Sequence, residues 1–147
     1  MTYAENRRAY HDYEIIEKYE AGLVLEGHEV KAVKTGKISI LGSYAKILNG
    51  EAFLIGAVIS PYQPKNTPGG YDPERTRKLL LNKKEITGLI GKSKEKSLTI
   101  VPLRVYARKG RIKLELGLVK AKKKRDKREV IRKKEEKRKI ERTLKQY

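Results

Sequence analysis

Ile112, Leu114, Leu116 and Leu118 alternate with Lys113, Glu115, Gly117 and Val119. This is the period of two expected of a strand with one face buried, and few folds are open to a chain built on such strands. Upstream, Leu98 and Ile100 fall in one phase and Leu103 and Val105 in the other, with Pro102 between them; a bulge near Pro102 reconciles the two. The segment Arg108–Arg111 joins these runs, and its Gly110 suits the positive φ of a tight hairpin. Asn49-Gly50 marks a second hairpin between SYAKIL and EAFLIGAVI. Two further strands are expected in YEIIEKY and EAGLVL, with a break near Glu20 to Gly22.

Helical signals are few. In EGHEVKAVKTG, Val30 and Val33 share one face, Lys31 and Lys34 the other, and Gly36 provides a C-terminal stop. The stretch SPYQPKNTPGGYD reads as an exposed irregular loop. Asp72-Pro73 reads as a helix start, and Asn82 with Glu85 as a capping box before Ile86, Leu89 and Ile90. About six short strands with two helical inserts exclude a parallel doubly wound sheet, whose strands each need a crossover helix. The fold class expected is mainly β, a small closed antiparallel barrel with short helices, because closure removes open edges.

The charge divides the chain. It has 36 Lys and Arg against 18 Asp and Glu, a net of +18. Residues 120–147 hold 15 of the cations and five of the acids, a net of +10, which leaves +8 for residues 1–119. We therefore expect a folded domain over 1–119 and a basic tail over 120–147. The tail has too little apolar surface to offset the entropy of ordering and is expected to be disordered when free. As a helix it would place Ile140, Leu144 and Tyr147 within about 60° of one another, a narrow face suited to forming only against a polyanion.

Such a charge disfavours a small-molecule enzyme and is more than solubility requires. With no Cys there is no disulfide framework, thiolate zinc site or Cys nucleophile, in keeping with a reducing cytoplasm. No apolar run approaches a membrane span, and the first residues carry no signal segment. No phosphate-binding loop or metal-ligand spacing occurs, so no metal, cofactor or small-molecule substrate is expected. His11 beside Asp12 and His28 beside Glu29 are the only groups suited to acid–base chemistry near neutrality, and an RNase built on them is the weaker reading. Lys and Arg interleave with Tyr in NRRAYHDY, around Tyr44 and in YDPERTRK. Cations that neutralise phosphates beside rings that stack on unpaired bases point to folded RNA.

NRRAYHDY, YEAGLVLEGHEVKAVKTGK, SYAKI, ISPY, DPERTRKLLLNKKEI, LVPLRVY and GLVKAKKKRDKRE together resemble the small protein B family, from Asn6 to about Leu144. The resemblance implies a barrel of oligonucleotide-binding type that holds the tRNA-like part of transfer-messenger RNA. It also implies a tail that works in the ribosomal decoding site and the empty mRNA channel. It assigns RNA binding to Asn6, Glu20 and Leu80, and matches Asp126-Lys127-Arg128 to the family's tail motif. Arg125 stands where relatives often carry His or Tyr, and Ala121 where Gly is common.

The candidate RNA contacts are thus Asn6, Arg7, His11, Glu20, Lys31, Tyr44, Arg77, Lys78 and Leu80, and the candidate ribosome contacts Lys122, Lys123, Asp126, Lys127, Arg128, Arg132, Lys133, Ile140 and Leu144. The function expected is a non-catalytic adaptor that delivers transfer-messenger RNA to stalled ribosomes so that the nascent peptide is tagged. A structural ribosomal protein or a general RNA-binding barrel would also account for the charge.

Overall fold

The structure is a computed structural model and describes residues 1–95 and 97–122. In chain order the elements are β1 (Thr2–Glu5), α1 (Arg7–Asp12), β2 (Tyr13–Leu23), α2 (Gly27–Lys34), β3 (Ile38–Ser39), β4 (Tyr44–Leu48), β5 (Glu51–Ile55), β6 (Val58–Ile59), β7 (Arg77–Leu80), α3 (Lys83–Ser93), β8 (Leu98–Arg108) and β9 (Arg111–Ala121). The expected tail lies outside the described residues apart from its first three, and so do Lys123, Asp126, Lys127, Arg128, Arg132, Lys133, Ile140 and Leu144.

Seven strands form one mainly antiparallel sheet in the order β1-β8-β4-β5-β7-β2-β9. The further pairing of β8 with β9 closes six of them into a ring. Both expected hairpins are type I′ turns, with φ of 52° and 75° at Asn49 and Gly50 and 51° and 74° at Lys109 and Gly110. The expected bulge in β8 falls between Pro102 and Arg104. On its other edge β8 pairs with β4 at Ile100 and with β1 from Arg104 to Tyr106. Pro102, which has no N–H to donate, stands at this change of partner.

Inside the ring, Leu54, Leu79, Val105, Leu114, Leu116 and Leu118 form the core. Leu89 of α3 and Val33 of α2 belong to the same cluster and are fully buried. A smaller cluster of Ala9, Val101, Leu103 and Val119 lies beneath α1. Its presence ends the strict alternation of β9, since Gly117 and Val119 are buried as well as Leu116 and Leu118.

Two expectations are corrected, and two elements add to them. β2 is one continuous strand of 11 residues with no break at Glu20 to Gly22. That point is where it passes from pairing with β9 to pairing with β7, and Gly22 lets Leu80 close in, its Cβ 3.2 Å from where a Gly22 Cβ would stand. Asp72-Pro73 opens only a single turn, closed by the Arg75 amide on the Asp72 carbonyl, because the next residues are drawn into β7 with Leu79 in the core. The described residues also include β1 and α1, which the apolar pattern does not announce.

Candidate nucleic-acid interface

α1 is held to the sheet by Asn6, which is only 6% exposed. Its Oδ1 accepts the Ala9 amide at 3.2 Å as an N-cap, its Nδ2 donates to the Pro102 carbonyl at 2.9 Å, and its own amide donates to the Leu103 carbonyl at 2.7 Å. The helix thereby turns Ala9 inward and leaves Arg7, Arg8, Tyr10 and His11 outward. Asn6 was expected to touch RNA; its side chain is instead engaged within the protein, where it places the helix that carries these groups. His11 Nδ1 lies 3.0 Å from Asp12 Oδ1, well exposed.

From α1 the outer face of the sheet continues over β2, β9 and β8. Lys18 on β2 lies 5.6 Å from the centre of the Tyr10 ring. Glu20, two residues on, reaches across β9 to β8, where Tyr106 Oη donates to it and Arg108 Nη1 donates to both its oxygens at 2.9 and 3.0 Å. The Tyr106 hydroxyl foremost, and Arg108 next, hold the Glu20 carboxyl below its usual range, so it is ionised at neutral pH. Conversely, burial and the bond to Glu20 push the Tyr106 phenol up to about 12. Beyond Glu20, Gly22 pairs with Leu80, an aliphatic side chain that is 54% exposed. Leu80 on β7 and Glu20 on β2 thus stand on neighbouring strands of the order β7-β2-β9-β8, and Asn6 is bonded to β8 through the Pro102 and Leu103 carbonyls.

The other candidates lie elsewhere. Lys31 is exposed on α2. Tyr44, on β4, is part-exposed opposite Ile55, and Lys78 is exposed beside Glu51 at 3.4 Å. Lys122 is exposed, with its amide on the Asp12 carbonyl at 3.2 Å, which fixes the end of β9 against the end of α1.

Arg77 is a correction. It was expected at the RNA surface and is fully buried. Its Nε and Nη2 donate to Glu29 Oε2 at 3.0 and 2.7 Å, its Nη1 to the Ala57 and Arg75 carbonyls, and its Nη2 also to the Pro73 carbonyl. Glu29, equally buried, further accepts from Arg75 and Tyr71 Oη. Burial pushes the Glu29 carboxyl up, but bonds from Arg75, the Glu26 amide and Arg77, with the charge of Arg77, outweigh it and hold the pKa at about 2. Glu29 is therefore not the partner of His28, whose Nε2 lies 2.7 Å from Glu26 Oε2.

Sequence reasoning missed the groups that organise this site. Arg104, Tyr106 and Arg108 share one face of β8 by the same alternation that placed Leu103 and Val105, a signal visible once polar positions are read as well as apolar ones. The spacing Glu26-x-x-Glu29 is a capping box, which the structure contains, and could have marked Glu29. Among the described residues no three His, Cys, Asp or Glu side chains are grouped as metal ligands, and no helix is long and apolar enough to cross a membrane.

Comparison with known proteins places this geometry. The family model described as SmpB protein matches residues 3–146. The chain is 52% identical to the SsrA-binding protein of Sulfurihydrogenibium sp. over 97% of its own length and 93% of that protein's. It is 52% identical to the SsrA-binding protein of Enterococcus faecalis, covering 97% and 92%. A chain in a solved structure described as "tmRNA-SmpB: a journey to the center of the bacterial ribosome" is 46% identical and superposes with a TM-score of 0.70, covering 88% of this chain and 94% of that one. With a model match along nearly the whole length and relatives about half identical, the chain belongs to the SmpB protein family.

Proposed function

We propose that this chain is an RNA-binding adaptor of trans-translation: it holds the tRNA-like part of transfer-messenger RNA and brings it to stalled ribosomes. The observation that carries the reading is the run of strands β7-β2-β9-β8 that bears Leu80, Glu20 and the anchor of α1, in a chain half identical to proteins named for binding SsrA. The ring of six strands is, in this reading, a closed barrel of oligonucleotide-binding type, and residues 1–119 are the RNA-holding domain. Residues 120–147 are the part that engages the decoding site and the empty mRNA channel. The cations of α1 and Lys18 contact phosphates, Glu20 contacts a base edge and Leu80 packs on a base or sugar. The chain works without catalysis of its own and in the cytoplasm.

Equilibrium binding of a transcript of the tRNA-like part, measured across a salt series, tests the reading. If on the order of five phosphates are neutralised, log K falls against log salt with a slope of about −3.5 to −4.5. A chain ending at Lys122 should keep most of that slope. Near-complete loss of binding on truncation would contradict the assignment of RNA holding to the first domain.

A further inference from the structure

Along β4 the buried Ala45 alternates with Tyr44, Lys46 and Leu48, which face outward; Tyr44 is 42% and Leu48 46% exposed. Along β5 Ala52 and Leu54 are buried, which turns Phe53 and Ile55 to the same outer side. Tyr44 stands opposite Ile55, and Lys46 opposite Phe53, the only Phe of the chain. Directly opposed side chains on one face lie about 5 Å apart at Cβ, so these groups form one patch. Phe53 in turn stands opposite Lys78 of β7 and is flanked by a lysine on either strand. Just before β4, Leu41 is also exposed. The core is served by Ala45, Ala52 and Leu54, and nothing in the fold calls for an apolar outer row.

The charge on this face is small. Lys78 lies 3.4 Å from Glu51, and Lys46 has no acidic partner among the described residues. Leu48 and Ile55 neither neutralise phosphates nor offer a plane to a base, so a polynucleotide would leave most of the patch unused. Aromatic and aliphatic side chains at the centre with lysines at the rim are the composition of a protein interface. A second copy of this chain would set +18 against +18 and be repelled.

We propose that the outer face of β4 and β5 docks an acidic segment of another protein, its apolar side chains packed on Leu48, Phe53 and Ile55 and its carboxylates paired with Lys46 and Lys78. Two short strands offer little area, so the contact is a transient one of less than about 1,200 Å². In the ring β5 stands three strands from β9 in either direction. The face is therefore turned away from the side where Glu20 meets Arg108, and both can be occupied together.

The test places p-benzoylphenylalanine at Leu48 of the full chain and irradiates growing bacteria. The adduct should survive RNase and disappear with protease, and its crosslinked peptide should carry Asp or Glu beside aliphatic or aromatic residues. A synthetic copy of that peptide, titrated onto the purified chain, should bind more weakly as salt rises. Leu48→Ser should weaken it on the order of tenfold. Lys46→Gln should weaken it and flatten the salt dependence, with urea unfolding showing both variants folded. Leu48→Ser should hold the tRNA-like transcript as tightly as the parent. An adduct lost to RNase would mark an RNA contact, and one joining two copies of this chain a dimer contact; either overturns the proposal. So does the absence of any adduct, a crosslinked peptide without carboxylates, peptide binding indifferent to both substitutions, or loss of transcript binding in Leu48→Ser. The proposal does not rest on the adaptor reading, since the adduct and the peptide titration are read without the transcript.

Discussion

Replacing Glu29 with Gln removes a negative charge from a place where two guanidinium groups depend on it. Glu29 and Arg77 are both fully buried, and Arg75 is 31% exposed. The Glu29 carboxyl is held at about 2 against an ordinary 4.5. That difference corresponds to about 3 kcal/mol at 1.36 kcal/mol per unit. Breaking one partner out of a buried ion pair costs about 3–5 kcal/mol, because the remaining charge is left uncompensated. Arg75 can turn to water, but Arg77 cannot, so Glu29→Gln should destabilise the chain by about 3–5 kcal/mol and lower its Tm by on the order of 10–20 °C. The folded pKa lies below the unfolded one, so the contribution of Glu29 is complete above about 4.5 and disappears as pH falls toward about 2. Urea unfolding followed by circular dichroism should show the full deficit at pH 7 and a shrinking one below pH 4.5. A Gln variant within about 1 kcal/mol of the parent at pH 7 would refute the account of the network.

Two further substitutions probe how α1 is placed. Asn6→Ala removes the cap and leaves the Pro102 carbonyl without its side-chain donor; it should cost about 2 kcal/mol in thermal unfolding and weaken RNA binding. Gly117→Ala would set a Cβ 2.9 Å from Leu103 Cδ1 in the cluster beneath α1. It should cost about 1–3 kcal/mol by overpacking, read as a lower urea midpoint, with faster amide exchange in α1.

What could be read from the residues was what local geometry decides. Asn49-Gly50 and Lys109-Gly110 dictate their turns whatever the rest of the chain does. The Pro102 bulge follows from two apolar phases that must meet in one strand. α1 was hidden because its only buried residue is Ala9, and its hold on the sheet comes from carbonyls nearly a hundred residues away. Arg77 and Lys78 are neighbours of the same charge, yet one is buried and one exposed, because Arg77 faces Glu29, 48 residues upstream. Local sequence cannot distinguish them. Glu20 and Leu80 were named through resemblance alone; the change of strand partner at Gly22 is what sets them on neighbouring strands.

The central claim, that this chain holds transfer-messenger RNA, is tested most directly by sequencing the RNA that is crosslinked to it and copurified from bacteria. The account predicts transfer-messenger RNA enriched over ribosomal RNA, with crosslinks concentrated in its tRNA-like part. Ribosomal RNA recovered one to one with the protein through salt washes, with no enrichment of transfer-messenger RNA, would contradict it.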